Sequence, residues 1–86
     1  MPFRADIDDS GGQRTFRLAG RLEKEPSAEL ARLCAEAGVP VRLDLTDLLS
    51  ADDAGLEALV ALRSRGAELV GASPYLALRL ETASRQ

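Results

Sequence analysis

Apolar and polar positions along the 86 residues switch between two periods. From Phe3 to Asp8, the residues Phe3, Ala5 and Ile7 alternate with Arg4, Asp6 and Asp8. Successive side chains leave a strand on opposite faces, so period two predicts a half-buried strand. Asp9-Ser10-Gly11-Gly12 follows with turn chemistry, since glycine reaches positive φ freely. Thr15 to Leu22 alternates again, with Phe16, Leu18, Gly20 and Leu22 opposed by Arg17 and Arg21. The first unit is therefore expected to be a β-hairpin.

The period then lengthens. Pro26 suits the first position of a helix, where its missing N–H has no helical partner anyway. Leu30, Leu33, Cys34 and Ala37 fall at i, i+3, i+4 and i+7, one apolar face, and Gly38 is expected to end the helix as its C′ residue. Val39, Val41, Leu43 and Leu45 alternate with Pro40, Arg42, Asp44 and Thr46, which predicts a third strand. A second helix starts near Asp52 or Asp53 and runs to about Arg65; Leu56, Leu59, Val60 and Leu62 form its apolar side, and Gly66 stops it. Ala67 to Ala72 is a short fourth strand. Ser73-Pro74 opens a third helix, serine capping and proline at N1, with a stripe of Leu76, Ala77, Leu80 and Ala83. The tail Ser84-Arg85-Gln86 is expected to fray.

The order is β-β-α-β-α-β-α, a single α/β domain over residues 1–86 with a four-stranded mixed sheet. Strands alternating with helices imply parallel pairing and right-handed crossovers. Strands covered on both faces read as continuous apolar runs. These do not: Arg4, Arg17, Arg42, Asp44 and Glu68 all point to one side. All helices should then cover one face of the sheet. The other face stays wet, with cross-strand ion pairs worth a few tenths of a kcal/mol to about 1 kcal/mol each.

Composition narrows the chemistry. Hydrophobic residues are 45% and charged residues 29%, ordinary for a globular chain. The formal net charge is −3, whereas a nucleic-acid partner calls for a basic stripe. No apolar run approaches the ~18 residues of a membrane span, and the start lacks the basic-then-apolar order of a signal peptide. A cytoplasmic location is the expectation. The chain has no histidine and one cysteine. That removes Ser-His-Asp and Cys-His nucleophile systems, histidine metal sites, thiolate zinc cages and internal disulfides. A non-enzymatic role without a cofactor is expected.

Leu43-Asp44-Leu45-Thr46-Asp47-Leu48-Leu49-Ser50-Ala51-Asp52-Asp53-Ala54-Gly55-Leu56 is the informative stretch. It resembles the STAS family, the sulfate-transporter and anti-sigma-factor-antagonist domains. Their signature is a strand ending in an aspartate, a few residues, then Asp-Ser-(Ser/Thr)-Gly-Leu opening a helix; the matching run here is Asp52-Asp53-Ala54-Gly55-Leu56. Phe16 to Leu22 looks like the family's second strand and its glycine turn, and Gly66 to Ala72 like the strand after the motif helix. The resemblance implies a one-sided β-α fold and a bacterial, transcription-regulating binding switch. In such antagonists a partner kinase, itself an anti-sigma factor, phosphorylates the first serine of the motif, and the unphosphorylated domain captures that partner. A phosphate adds roughly −1.5 to −2 charges in the middle of a docking surface.

Two departures qualify the resemblance. Asp53 occupies the place of the phosphorylatable serine and Ala54 replaces the next Ser/Thr, so phosphorylation there is not expected. Asp53 is then a helix-start residue favoured by the dipole, a fixed charge imitating phosphate, or part of a constitutive docking face. These readings stay open. Typical members also continue with another strand and a final helix. This chain stops after its third, which implies a short variant with an open edge at Ala67–Ala72 that a second copy or a partner would cover.

The expected contact surface is the loop Leu49–Asp53, including Ser50 and Asp52, with Ala54 and Glu57 on the exposed side of the second helix. The implied partner is a histidine-kinase-like anti-sigma ATPase. The alternative is an accessory subunit resembling the STAS component of bacterial lipid-transport ABC systems, docked on a transport ATPase. Ser50 is read as a cap of the second helix with Asp53 at N3, or as a displaced phosphosite. Asp44, Asp47, Asp52 and Asp53 are weighed as Mg²⁺ ligands, but their spacing matches no known loop and cap or surface roles are preferred. Cys34 is read as a small core residue. Gly11-Gly12 is no phosphate loop, since no Gly-Lys-Ser/Thr follows.

Overall fold

The computed structural model describes residues 2–84; Met1, Arg85 and Gln86 lie outside the described residues, and of the tail expected to fray, Ser84 is the last residue of a helix, its hydroxyl donating to Glu81 O at 2.9 Å. Seven elements follow one another: β1 (Arg4–Ser10), β2 (Gln13–Leu22), α1 (Lys24–Ala35), β3 (Val41–Ala51), α2 (Asp53–Ser64), β4 (Glu68–Val70) and α3 (Pro74–Ser84). The order is the β-β-α-β-α-β-α read from the sequence.

Gly11 and Gly12 carry φ of 62° and 78°. Two consecutive positive φ values between Ser10 and its partner Gln13 make the two-residue turn whose twist suits a hairpin. β1 and β2 are antiparallel, while β2–β3 and β3–β4 are parallel. The strands lie side by side in chain order, which puts β1 and β4 at the edges.

The core lies on one face of this mixed sheet. Phe16, Leu18 and Leu22 of β2 and Leu43, Leu45 and Leu48 of β3 meet Leu30 of α1, Leu56, Leu59 and Leu62 of α2, and Leu76 and Leu80 of α3. Burying a leucine fully is worth about 1.5–3 kcal/mol each, so these contacts dominate the fold. The opposite face carries the expected charges. Arg42 Nε donates to Glu68 Oε1 at 2.9 Å, Arg17 stands 3.7 Å from Asp8, and Arg4 stands 3.5 Å from Asp6.

Several boundaries differ from the sequence reading. Pro26 is the third helical residue, not the first, because α1 starts at Lys24; the position still needs no N–H donor within the helix. Glu36 is the C-cap of α1, which leaves Gly38 two residues beyond it instead of at C′. Val39 lies before β3, and 42% of its surface is exposed. Ile7 was expected on the covered face, yet it is 52% exposed, because β1 is an edge strand beyond the helices. Ala77 is exposed rather than part of the α3 stripe, which is Leu76 and Leu80 with half-buried Ala83. β4 shrinks to three residues.

The largest correction concerns β3. It was expected to stop at Thr46 but runs on to Ala51. The register against β2 slips between Arg17 and Ala19 and again between Gly20 and Arg21, each time by one extra residue on β3. Each extra residue breaks the alternation that marks a strand. Leu49, Ser50 and Ala51 are therefore strand residues, and the loop expected over Leu49–Asp53 is reduced to Asp52 before the helix.

Candidate functional site

The C-terminal end of β3 delivers the chain into α2. Asp52 is the N-cap, with extended backbone (φ −80°, ψ −177°). Its Oδ1 accepts the backbone N–H of Gly55 at 2.8 Å, which satisfies one of the orphan donors at a helix start. Asp52 N–H in turn donates to Leu22 O at 3.1 Å. Asp52 is thus the cap, and Ser50 is not. Ser50 lies within β3, opposite Arg21.

Gly55 explains why the helix can start here. It is buried, and a Cβ added to it would fall inside the van der Waals envelope of the Leu22 carbonyl oxygen and crowd the Ala51 side chain. Only glycine lets the first turn of α2 close on the ends of β2 and β3.

Asp53 is the first residue of α2, and 95% of its side chain is exposed. Ala54 is half-buried and Glu57 exposed one turn on. Leu49 is 59% exposed. The sequence-read set of Leu49, Ser50, Asp52, Asp53, Ala54 and Glu57 is therefore contiguous along one strand–helix junction.

One residue was missed. Arg79 of α3 reaches across to this junction. Its Nη2 donates to Asp53 Oδ1 at 3.4 Å and its Nη1 to Ala51 O at 3.3 Å. Its guanidinium also lies 5.9 Å from the centroid of the Tyr75 ring, and Nη1 stands 3.4 Å from the Tyr75 hydroxyl. The i, i+4 spacing of Tyr75 and Arg79 was visible in the sequence, but the link to Asp53 spans 26 residues and left no local sign.

The other aspartates do separate work. Asp44 Oδ1 accepts the Thr46 hydroxyl at 2.6 Å and the Thr46 backbone N–H at 3.0 Å. Those two bonds, helped by Arg17 and Arg42 nearby, hold its carboxyl below the usual carboxylate range. Among the described residues no three His, Cys, Asp or Glu side chains converge as a metal ligand set. Cys34 is half-buried against the core, where burial pushes its thiol pKa up. No helix among the described residues is long and apolar enough to cross a membrane.

With this geometry in hand, the comparisons with solved structures become informative. The chain superposes on the unphosphorylated anti-sigma factor antagonist SpoIIAA with a TM-score of 0.66 at 16% identity, covering 93% of this chain and 82% of that one. It also superposes on an antisigma-factor antagonist STAS domain from Rhodobacter sphaeroides, with a TM-score of 0.52 at 23% identity, over 81% of this chain and 85% of that one. The fold is STAS-like.

A structure of Mglu gives a TM-score of 0.66 at 17% identity; the match covers 80% of this chain and 20% of Mglu, so the chain spans about a fifth of that protein's length. No protein-family model matches the sequence, and no curated protein matches it. In the STAS-like frame, the Asp52–Leu56 run that resembles the family signature sits at the β3–α2 junction just described.

Proposed function

We propose that this domain is a non-enzymatic, protein-binding regulator similar to anti-sigma factor antagonists. Its docking surface is the β3–α2 junction: Leu49, Ser50, Asp52, Asp53, Ala54 and Glu57. The observation that carries the proposal is the division of roles at the helix start. Asp52 caps α2, which leaves Asp53 outward and 95% exposed at the position of the family's phosphorylatable serine. A side chain not needed for the cap, and exposed beside Arg79, is placed to act at an interface.

The partner is a histidine-kinase-like anti-sigma ATPase, and the setting is transcription regulation in a bacterial cytoplasm. Asp53 supplies one fixed negative charge where phosphorylation would supply nearly two. The STAS-like fold, whose structural neighbours include two anti-sigma factor antagonists, supports this reading. So does the absence of histidine from the sequence, which leaves no ordinary general base near neutral pH.

Affinity capture from bacterial lysate, with the wild type and Asp53→Ser as baits, tests the proposal. A kinase-like ATPase held more tightly by the serine variant is the expected result. Equal retention of that ATPase would reduce Asp53 to a helix-start residue. Retention of a transport ATPase by both baits would replace this reading with the accessory-subunit one.

A further inference from the structure

A groove of about 530 Å³ runs between α2 and α3, next to the junction. Asp53, Leu56 and Glu57 form one wall; Leu78, Arg79, Thr82 and Ala83 form the other. Its residues are spaced as two helices present them, Asp53 and Glu57 one turn apart on α2, Leu78 and Thr82 one turn apart on α3. Leu78 is 63% exposed, and Tyr75, one turn before it, is 61% exposed. These are the two most exposed large hydrophobic residues among those described, and they share one helix.

The charge of the groove is one-sided once its internal pairs are counted. Among the described residues Arg79 is the only cation lining it, and that cation is already engaged by Asp53, by the Ala51 carbonyl and by the Tyr75 ring. Glu57 has no ion-pair partner among the described residues. The positive end of the α2 dipole, which would otherwise invite an anion, already carries the carboxylates of Asp52 and Asp53. An acidic ligand would thus meet carboxylates and an occupied arginine. A basic one would meet Glu57, which no cation among the described residues pairs, beside exposed leucine.

We propose that the α2–α3 groove seats a basic, aliphatic helical segment of the partner protein, a Lys or Arg pairing with Glu57 and an aliphatic side chain packing on Leu78. The proposal rests on the docking function above, shares Asp53 and Glu57 with its surface, and extends the contact onto Leu78 of α3. Two turns of helix fit the spacing of the groove residues, and apolar anchors one turn apart with a charged neighbour are how a groove reads an amphipathic helix.

The test is NMR titration of the isotope-labelled 86-residue chain with two synthetic helical peptides. One is built of Leu, Ala and Lys; the other has Glu in place of every Lys. The Lys peptide is expected to shift the amides of Leu56, Glu57, Leu78, Thr82 and Ala83. Glu57→Lys and, separately, Leu78→Ser are expected to weaken it about tenfold or more, the scale of losing an interfacial charge pair or anchor. Both side chains are exposed, so both variants should keep the wild-type spectrum away from the groove. Equal binding of the Glu peptide, no shift at these amides, or wild-type affinity in both variants would overturn the groove proposal. Shifts confined to residues 49–53 would overturn it while leaving the junction of the proposed function standing.

Discussion

Asp52 and Asp53 are neighbours of identical chemistry with different jobs. Asp52 Oδ1 holds the Gly55 N–H, whereas Asp53 points outward to Arg79. Asp52→Ala should cost about 1 kcal/mol, and Asp52→Asn only a few tenths, since asparagine caps as well. Asp53→Asn loses one exposed ion pair and should cost less than about 1 kcal/mol. Gly55→Ala should be the costliest of the four. The added methyl has nowhere to go but into the Leu22 carbonyl, and overpacking of this kind costs about 1–3 kcal/mol. Urea unfolding of the four variants gives the ranking directly. A Gly55→Ala domain as stable as wild type would mean that the first turn of α2 can move off β2 at no cost.

Among the elements, β3 is where sequence and structure part. Strands β1 and β2 were legible because their alternation is unbroken, and helices α1 and α2 because their apolar residues recur at helical spacing. Beyond Leu45, β3 loses its period. The two one-residue slips against β2 leave two residues in a row off the buried side, first Thr46 and Asp47, then Leu49 and Ser50. Such a pair reads as a loop, although the chain is still hydrogen-bonded to β2. The Asp53–Arg79 contact was illegible for a different reason, since it joins two helices through tertiary packing alone. The candidate site was placed by the Asp52–Leu56 run, but which aspartate caps the helix was not legible there.

The first slip in β3 lies close to a pH-sensitive contact. Asp44 is held below its ordinary pKa first by the Thr46 hydroxyl. A carboxyl depressed in the folded state adds stability above its unfolded pKa and loses it as pH falls through the folded pKa. Thr46→Val removes the hydroxyl donor and brings the Asp44 pKa back toward 3.8. The variant should therefore be less stable than wild type at neutral pH, where the depressed carboxyl contributes in full, and its acid unfolding midpoint, followed by circular dichroism, should move to higher pH. An unchanged midpoint would mean that other carboxylates govern acid unfolding.

At the scale of the molecule, the two sheet edges are unlike. The β1 edge carries Arg4, Asp6, Asp8 and Asp9, and charges on an edge strand discourage pairing. The β4 edge carries one charged residue, Glu68, beside Leu69 and Val70. Pairing of two copies at β4 is the association this asymmetry favours. Light scattering at high micromolar concentration should then give a dimer mass; a clean monomer would remove the idea and leave the edge protected by its brevity.

The core has a further property. Eleven of its fourteen buried hydrophobic residues are leucine. Aliphatic side chains of similar volume substitute for one another in a core at modest cost, and the wet face constrains residue choice weakly because exposed ion pairs contribute little. Such a chain records its architecture in a pattern of apolar positions and hardly at all in residue identities. Neutral drift can therefore replace most of the letters while the backbone path stays put. A backbone path shared with other chains at only 16–23% identity is what a leucine-filled core permits, and the positions that resist substitution should be those where geometry admits one residue, Gly55 foremost.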